Sequence, residues 1–196
     1  MVESTRDRIL DAALRAYGTD GFAATSLDAL ADQLGIRKQT ILYHFASKQA
    51  LFEAVIDTAA IDLAKVFEEE ASRGLSGLEQ VEAIVRRVFR LAAGQPELLG
   101  LVREVTRPGS LSADRLVTQV APVFDRAREF LHREMSAGHL RRSDPDMLLL
   151  SLYSTVVGVA TELEVQRAMG LPPTLRGTVA RRQELIRFLR AALEPA

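Results

Sequence analysis

The chain has 196 residues, 47% of them hydrophobic, which is enough for one ordinary domain or two small ones with a substantial core. Its net charge of −1 gives no general attraction for nucleic acid, so any such partner must be met by a local patch, or by two patches paired in a dimer. The absence of cysteine excludes a disulfide framework and thiolate chemistry.

The opening MVESTRDRIL lacks the basic-then-apolar order of a signal peptide, which together with the missing cysteines fits a cytoplasmic protein. A first helix is expected over Thr5 to Gly18, with Ile9, Leu10, Ala13, Leu14 and Tyr17 as its apolar stripe. Asp20 and Gly21 signal a turn, and Phe22 reads as a core plug. Thr25 or Ser26 caps the next helix, with Thr25 and Asp28 at capping-box spacing. Ser47 caps a long helix to about Ala71, and Ser72 to Gly77 is a loop. Further helices are expected over Leu78 to Ala93, from Pro96 to before Pro108, and from Ser112 or Asp114 to Ala137. Pro122 should kink the last of these or offset its start. Arg103, Glu104 and Arg107 read as an exposed face with local ion pairs. Asp144 and Pro145 start an apolar helix running from Asp146 to about Met169, and a final helix covers Thr178 to Leu193. The most apolar stretch, Met147 to Thr161, is shorter than the roughly 20 residues of a membrane span. No segment alternates with period two, so the reading is all-α.

The stretch that carries chemistry is Leu27 to Lys48. Leu27, Leu30, Ala31 and Leu34 form one helical stripe, and Gly35 suits the left-handed position that ends a helix. A second short helix turns Ile36, Ile41, His44 and Phe45 inward and shows Arg37, Lys38, Gln39, Leu42 and Tyr43. This is the pattern of a helix-turn-helix, whose second helix enters the major groove. From Gln33 to Phe52 there is no acidic residue, while Arg37, Lys38 and Lys48 are present and Thr40, Tyr43, His44 and Ser47 add hydrogen-bonding groups. Such a surface suits phosphates. Thr25 and Ser26 can add a phosphate contact at a helix start as well as a cap.

These residues resemble the TetR-type bacterial transcriptional regulators. The resemblance rests on Gly35, Ile36, Arg37, Lys38, Gln39, Thr40, Ile41, Leu42, Tyr43, His44, Phe45, Ala46, Ser47 and Lys48, with Gly21, Phe22, Thr25, Ser26 and Leu27 upstream, and it covers about the first quarter of the chain. Arg37 stands where serine is common, Gln39 where glycine is common and Leu42 where tyrosine is usual, so no operator sequence carries over. Phosphate contacts are expected at Thr40, Tyr43, His44 and Lys48. Base reading is expected at Arg37, Gln39 and Lys38, since arginine matches the two acceptors of guanine and glutamine the edge of adenine.

Elsewhere the sequence offers little chemistry. His44, His132 and His139 include no pair at helical zinc-motif spacing, and there is no phosphate-binding glycine loop or nucleophile elbow. No catalytic residue, metal or cofactor is expected. The helix after Pro145 is apolar around most of its circumference, with a small or polar seam at Ser151, Ser154, Thr155, Gly158 and Glu162. Either it is the central helix of a monomer, or its seam faces a second copy. The final helix has an apolar face including Leu185 and Leu189. The resemblance implies that the last two helices form a dimer, which places Ser154, Gly158, Glu162, Leu185 and Leu189 at the interface. It also implies a small-molecule pocket among the middle helices. Phe89, Leu99, Val102, Val120, Phe124 and Tyr153 are the residues suited to line one, or else to fill a solid core.

The expectation is a three-helix helix-turn-helix domain over residues 1–50 and a helical ligand-binding and dimerisation domain over 51–196. Its function would be that of a homodimeric repressor released from a near-palindromic operator by an apolar or amphipathic ligand. The alternative is a helical ligand-binding or scaffold protein whose helix-turn-helix no longer reads DNA.

Overall fold

The computed structural model describes residues 4–107, 113–172 and 174–195. Among them every regular element is an α-helix: α1 (Thr5–Thr19), α2 (Leu27–Leu34), α3 (Lys38–His44), α4 (Lys48–Ala71), α5 (Gly77–Gly94), α6 (Pro96–Thr106), α7 (Ala113–Ser136), α8 (Pro145–Thr161), α9 (Leu163–Ala168) and α10 (Leu175–Leu193). No helix among the described residues is long and apolar enough to cross a membrane. The chain forms two compact units, Met1–Leu63 with Gln95–Val120, and Ala64–Gly94 with Ala121–Ala196.

In the first unit, Ser4 caps α1 by accepting from the Asp7 N–H, and Ile9, Ala12, Ala13 and Tyr17 go inward. They meet Leu30 of α2, Ile41 and Phe45 at α3, and Leu51, Phe52 and Val55 of α4, all buried in this unit. Tyr17, Phe22 and Phe52 form an aromatic cluster with centroids 4.6–5.8 Å apart, so Phe22 is the expected plug. α6 packs on α1 where glycines meet: a Cβ on Gly18 would lie 2.1 Å from the Glu97 carbonyl oxygen. The expected local ion pair is there, Arg107 with Glu104 at 3.6 Å, but Glu104 itself is not outward. Its carboxylate is largely buried and accepts from the Phe22 N–H at 3.2 Å, tying α6 to the turn before α2. Arg115 of α7 makes a two-pronged contact with Asp57 of α4 at 2.6 and 2.8 Å.

In the second unit, α5, α8 and α10 pack pairwise around Val81, Val85, Val88, Phe89, Leu131, Met135, Leu140, Val156, Leu185, Leu189 and Leu193. Glu134 is buried at one end. One carboxylate oxygen accepts from the Gly77 N–H and lies 2.9 Å from the His139 ring nitrogen, and the other accepts from Arg133. The carboxylate thus joins the start of α5 to the turn after α7.

Two helix expectations need correction and a third narrows to one of its alternatives. α7 is helical on both sides of Pro122, so the proline does not offset its start. The single helix expected from Asp146 to Met169 is two, α8 and α9, broken at Glu162 (φ −78°, ψ 69°). The Gln166 side chain donates to the Val159 carbonyl at 3.0 Å, satisfying an acceptor that the break would otherwise leave open. α10 begins at Leu175 rather than Thr178, because Thr174 caps it by accepting from the Gly177 N–H.

Candidate nucleic-acid interface

Ser26 caps α2 by accepting from the Ala29 N–H at 3.1 Å, so the cap falls to Ser26 and not Thr25. Thr25 is buried, and its hydroxyl donates to the Gly21 carbonyl. Gly35 ends α2 at φ 66°, which a residue with a Cβ adopts only with strain. The Ile36 N–H then closes back on the Ala31 carbonyl at 3.0 Å. This lock sets the direction of α3.

α3 is short and anchored by few residues. Ile41 is fully buried and Phe45, just past its end, nearly so. Gln39, Leu42 and Tyr43 recur at i, i+3 and i+4 and form the exposed stripe opposite. Tyr43 is 85% exposed and Leu42 38%. Arg37 stands at the N-cap position, but its side chain makes no capping bond and is exposed. Thr40 and His44 are half-buried at the flanks of the stripe, and the Tyr43 and His44 rings meet edge-on at 5.2 Å. Leu42 was absent from the residues expected to contact DNA, although the stripe includes it. An apolar side chain there matches a thymine methyl group.

Two cations are held in fixed places. The Lys48 ammonium lies 4.4 Å from the Phe22 ring centroid and 3.4 Å from the Ala23 carbonyl, so it is positioned before any ligand arrives. Lys38 bonds Asp28 of α2 at 2.8 Å, and a phosphate must compete with that carboxylate. The Arg6 guanidinium sits 5.2 Å from the Phe45 ring, and Arg8 donates to the Leu34 carbonyl, so two arginines of α1 flank the helix-turn-helix.

The other expected site residues are distributed differently. Phe89 is in the core of the second unit, and Phe124 and Tyr153 in that unit meet edge-on at 6.2 Å. Leu99, Val102 and Val120 belong to the first unit, with Leu99 buried. On α8, Ser154 and Glu162 are exposed and Gly158 is half-buried, sharing a face with Met147 and Leu150. Leu185 and Leu189 are corrections. Each is 5% exposed and packed in the core of its own chain, so neither is available to a second copy. Outward apolar residues of α10 are Leu175 at its start and Phe188, 61% exposed, beside Leu189.

A family profile described as bacterial regulatory proteins of the tetR family matches residues 9–55, which spans α1 to α3 and the start of α4. The HTH-type transcriptional regulator RutR of Escherichia coli is 27% identical over 158 residues, 79% of this chain and 73% of RutR. Among solved structures, the transcriptional regulator FadR of Bacillus subtilis in complex with stearoyl-CoA superposes with a TM-score of 0.78 at 16% identity, covering 93% of this chain and 96% of FadR. A regulator from Saccharomonospora viridis in complex with choline gives 0.76 at 20% identity, covering 96% of both chains. The glycine-locked helix-turn-helix lies inside the segment that the tetR-family profile matches and the fold continues along nearly the whole chain, which together support a regulator of the TetR type.

Proposed function

We propose that the protein is a cytoplasmic repressor that binds a near-palindromic operator as a homodimer and leaves it when a small molecule binds. The observation that carries DNA reading is the exposed stripe of α3. Tyr43 stands almost wholly in solvent beside Gln39 and Arg37, and no acidic residue lies between Gln33 and Phe52. A tyrosine so exposed gains nothing from the chain's own core, whereas a major groove supplies both phosphates and base edges for such a stripe.

The homodimer is supported by the outward apolar residues Met147 and Leu150 of α8 and Phe188 of α10, beside the small seam at Ser154 and Gly158. A two-fold axis through that face would present two copies of α3 to two half-sites. Release needs a ligand that binds the DNA-free arrangement better than the bound one. α4 is a single helix from Lys48, next to the α3 stripe, to Ala71, and gives a rigid element for such coupling. The complexes of similar regulators with stearoyl-CoA and with choline favour a small-molecule effector for this chain too.

A selection from randomised DNA at two salt concentrations tests the reading. A near-palindromic consensus whose affinity falls steeply with salt is expected. Sequence-independent or absent binding would leave the helix-turn-helix as a structural corner only. Light scattering on the free protein reports the dimer.

A further inference from the structure

Lys48 is seated by a turn rather than by a neighbouring helix. Two groups meet its ammonium, the Phe22 ring with its centroid at 4.4 Å and the Ala23 carbonyl oxygen at 3.4 Å. Both belong to the turn between α1 and α2. Inside that turn the Thr25 hydroxyl donates to the Gly21 carbonyl at 2.9 Å. From outside it, the Glu104 carboxylate of α6 accepts from the Phe22 N–H at 3.2 Å. The same Glu104 oxygen is 3.6 Å from Arg107, so the carboxylate is braced from its own helix. Gly21 has a φ of 86°, and a Cβ there would lie 3.3 Å from the second Glu104 oxygen. The backbone of the turn therefore rests directly on the carboxylate. All of these residues are in the first unit.

A carboxylate placed here bears on DNA binding in two ways of opposite sign. By its charge it repels phosphate, so its removal would tighten binding. By holding the turn it keeps the Lys48 ammonium in its seat. A lysine on a flexible four-carbon stem loses rotamer freedom when it meets a phosphate, and a seat formed in advance removes that loss from the binding step. The geometry favours the second effect. Glu104 gives an oxygen to the backbone of the very turn that touches Lys48, and its side chain is only 16% exposed.

We propose that Glu104 is a positioning residue for DNA binding. Through the Phe22 N–H it holds the Gly21–Ala23 turn, and through that turn the seat that aims the Lys48 ammonium at an operator phosphate. The proposal rests on the DNA-binding reading given under Proposed function. It puts a determinant of operator affinity on α6, outside the 9–55 segment that the family profile matches.

The test uses the full chain and the duplex selected from randomised DNA, with affinity read by fluorescence anisotropy over a salt series. Glu104→Ala should weaken binding by about tenfold and lower the salt slope by about 0.9 per half-site, as Lys48→Ala does. Glu104→Gln keeps an acceptor oxygen without the charge, and should bind as the parent does or more tightly. In the double variant Glu104→Ala/Lys48→Ala the two losses should not add, because a chain without Lys48 has no seat to lose. A carboxylate that only stabilised the fold would lower the melting temperature, leave the salt slope alone and give additive losses. A second readout uses the free protein with isotope-labelled dimethyl-lysines. The Lys48 resonance, displaced by the Phe22 ring, should move toward the free-lysine position in Glu104→Ala, with Lys38 and Lys65 unmoved. If Glu104→Ala does not fold, Glu104→Asp carries the same expectations, since it keeps the charge and withdraws the acceptor by one methylene. With a parent that binds, an unchanged salt slope, tighter binding by Glu104→Ala, additive losses or an unmoved Lys48 resonance would each overturn this role of Glu104 alone. A parent that binds no DNA would overturn the DNA-binding reading and this role with it.

Discussion

A Cβ placed on Gly100 of α6 would lie 2.0 Å from the carbonyl oxygen of Gly18 in α1, so the two helices cross backbone against backbone. Alanine in place of a helical glycine ordinarily gains up to about 1 kcal/mol. Here the obstructing atom is main chain and cannot turn aside. Strain therefore wins, and Gly100→Ala should destabilise the protein by about 1–3 kcal/mol, read as a lowered urea midpoint. An unchanged midpoint would mean that the crossing opens freely.

Tyr43 should separate binding from stability. Because its side chain is 85% exposed, Tyr43→Ala should leave stability within about 0.5 kcal/mol of the parent. If the hydroxyl meets a phosphate, operator affinity should fall by about 1.5–3 kcal/mol for all sequences alike. Melting curves and fluorescence anisotropy measure the two effects. A loss confined to one base pair would make Tyr43 a base reader instead.

Arg37 gives the complementary result. Its side chain is not used in capping α3, so Arg37→Ala should not disturb the helix. It should cost roughly 1–3 kcal/mol at one base pair of each half-site and relax the selected consensus there. An unchanged consensus would remove Arg37 from base reading.

For the dimer, the two neighbours Phe188 and Leu189 should behave oppositely. Leu189 is a core residue, and Leu189→Ala should cost about 2–5 kcal/mol of stability. Phe188→Glu should leave the helical circular dichroism intact, yield a monomer by light scattering and weaken operator binding with it. A Phe188→Glu dimer would move the interface off this face of α10.

Glu134 predicts the acid limb of stability. Burial would raise its pKa, but the His139, Gly77 and Arg133 hydrogen bonds together lower it below the ordinary carboxylate value. Its folded pKa is depressed, so its contribution is fully present above the unfolded value and lost as pH falls through the folded one. Glu134→Gln should destabilise the protein by about 1–3 kcal/mol at neutral pH and flatten the decline in melting temperature below the carboxylate range. A parallel decline in both proteins would assign the acid sensitivity to other groups.

The helix-turn-helix was legible because its signals are local. Gly35 ends α2 where the sequence places it, and the apolar stripe of α1 to α3 has one period and one core. Leu185 and Leu189 were not legible as core, since an apolar helical face does not say whether its own chain or another covers it. The break at Glu162 was hidden because no glycine or proline marks it. It is made by the backbone at Glu162 and compensated by Gln166, a side chain four residues downstream. The second contact of Glu104, beside its ion pair with Arg107, was hidden for a related reason. Its partner, the Phe22 N–H, is a backbone group 82 residues earlier, and no side-chain pattern announces it.

The return of Gln95–Val120 to the first unit bears on the order of events during synthesis. The surface of α1 that carries Gly18 is completed by α6, and α6 emerges from the ribosome only after all of α5. The nascent helix-turn-helix therefore waits, with one flank uncovered, until the chain has passed Thr106. A fragment released before that point would carry the complete recognition stripe on an unfinished scaffold. Limited proteolysis of stalled nascent chains should show α1 gaining protection only once α6 has cleared the exit tunnel.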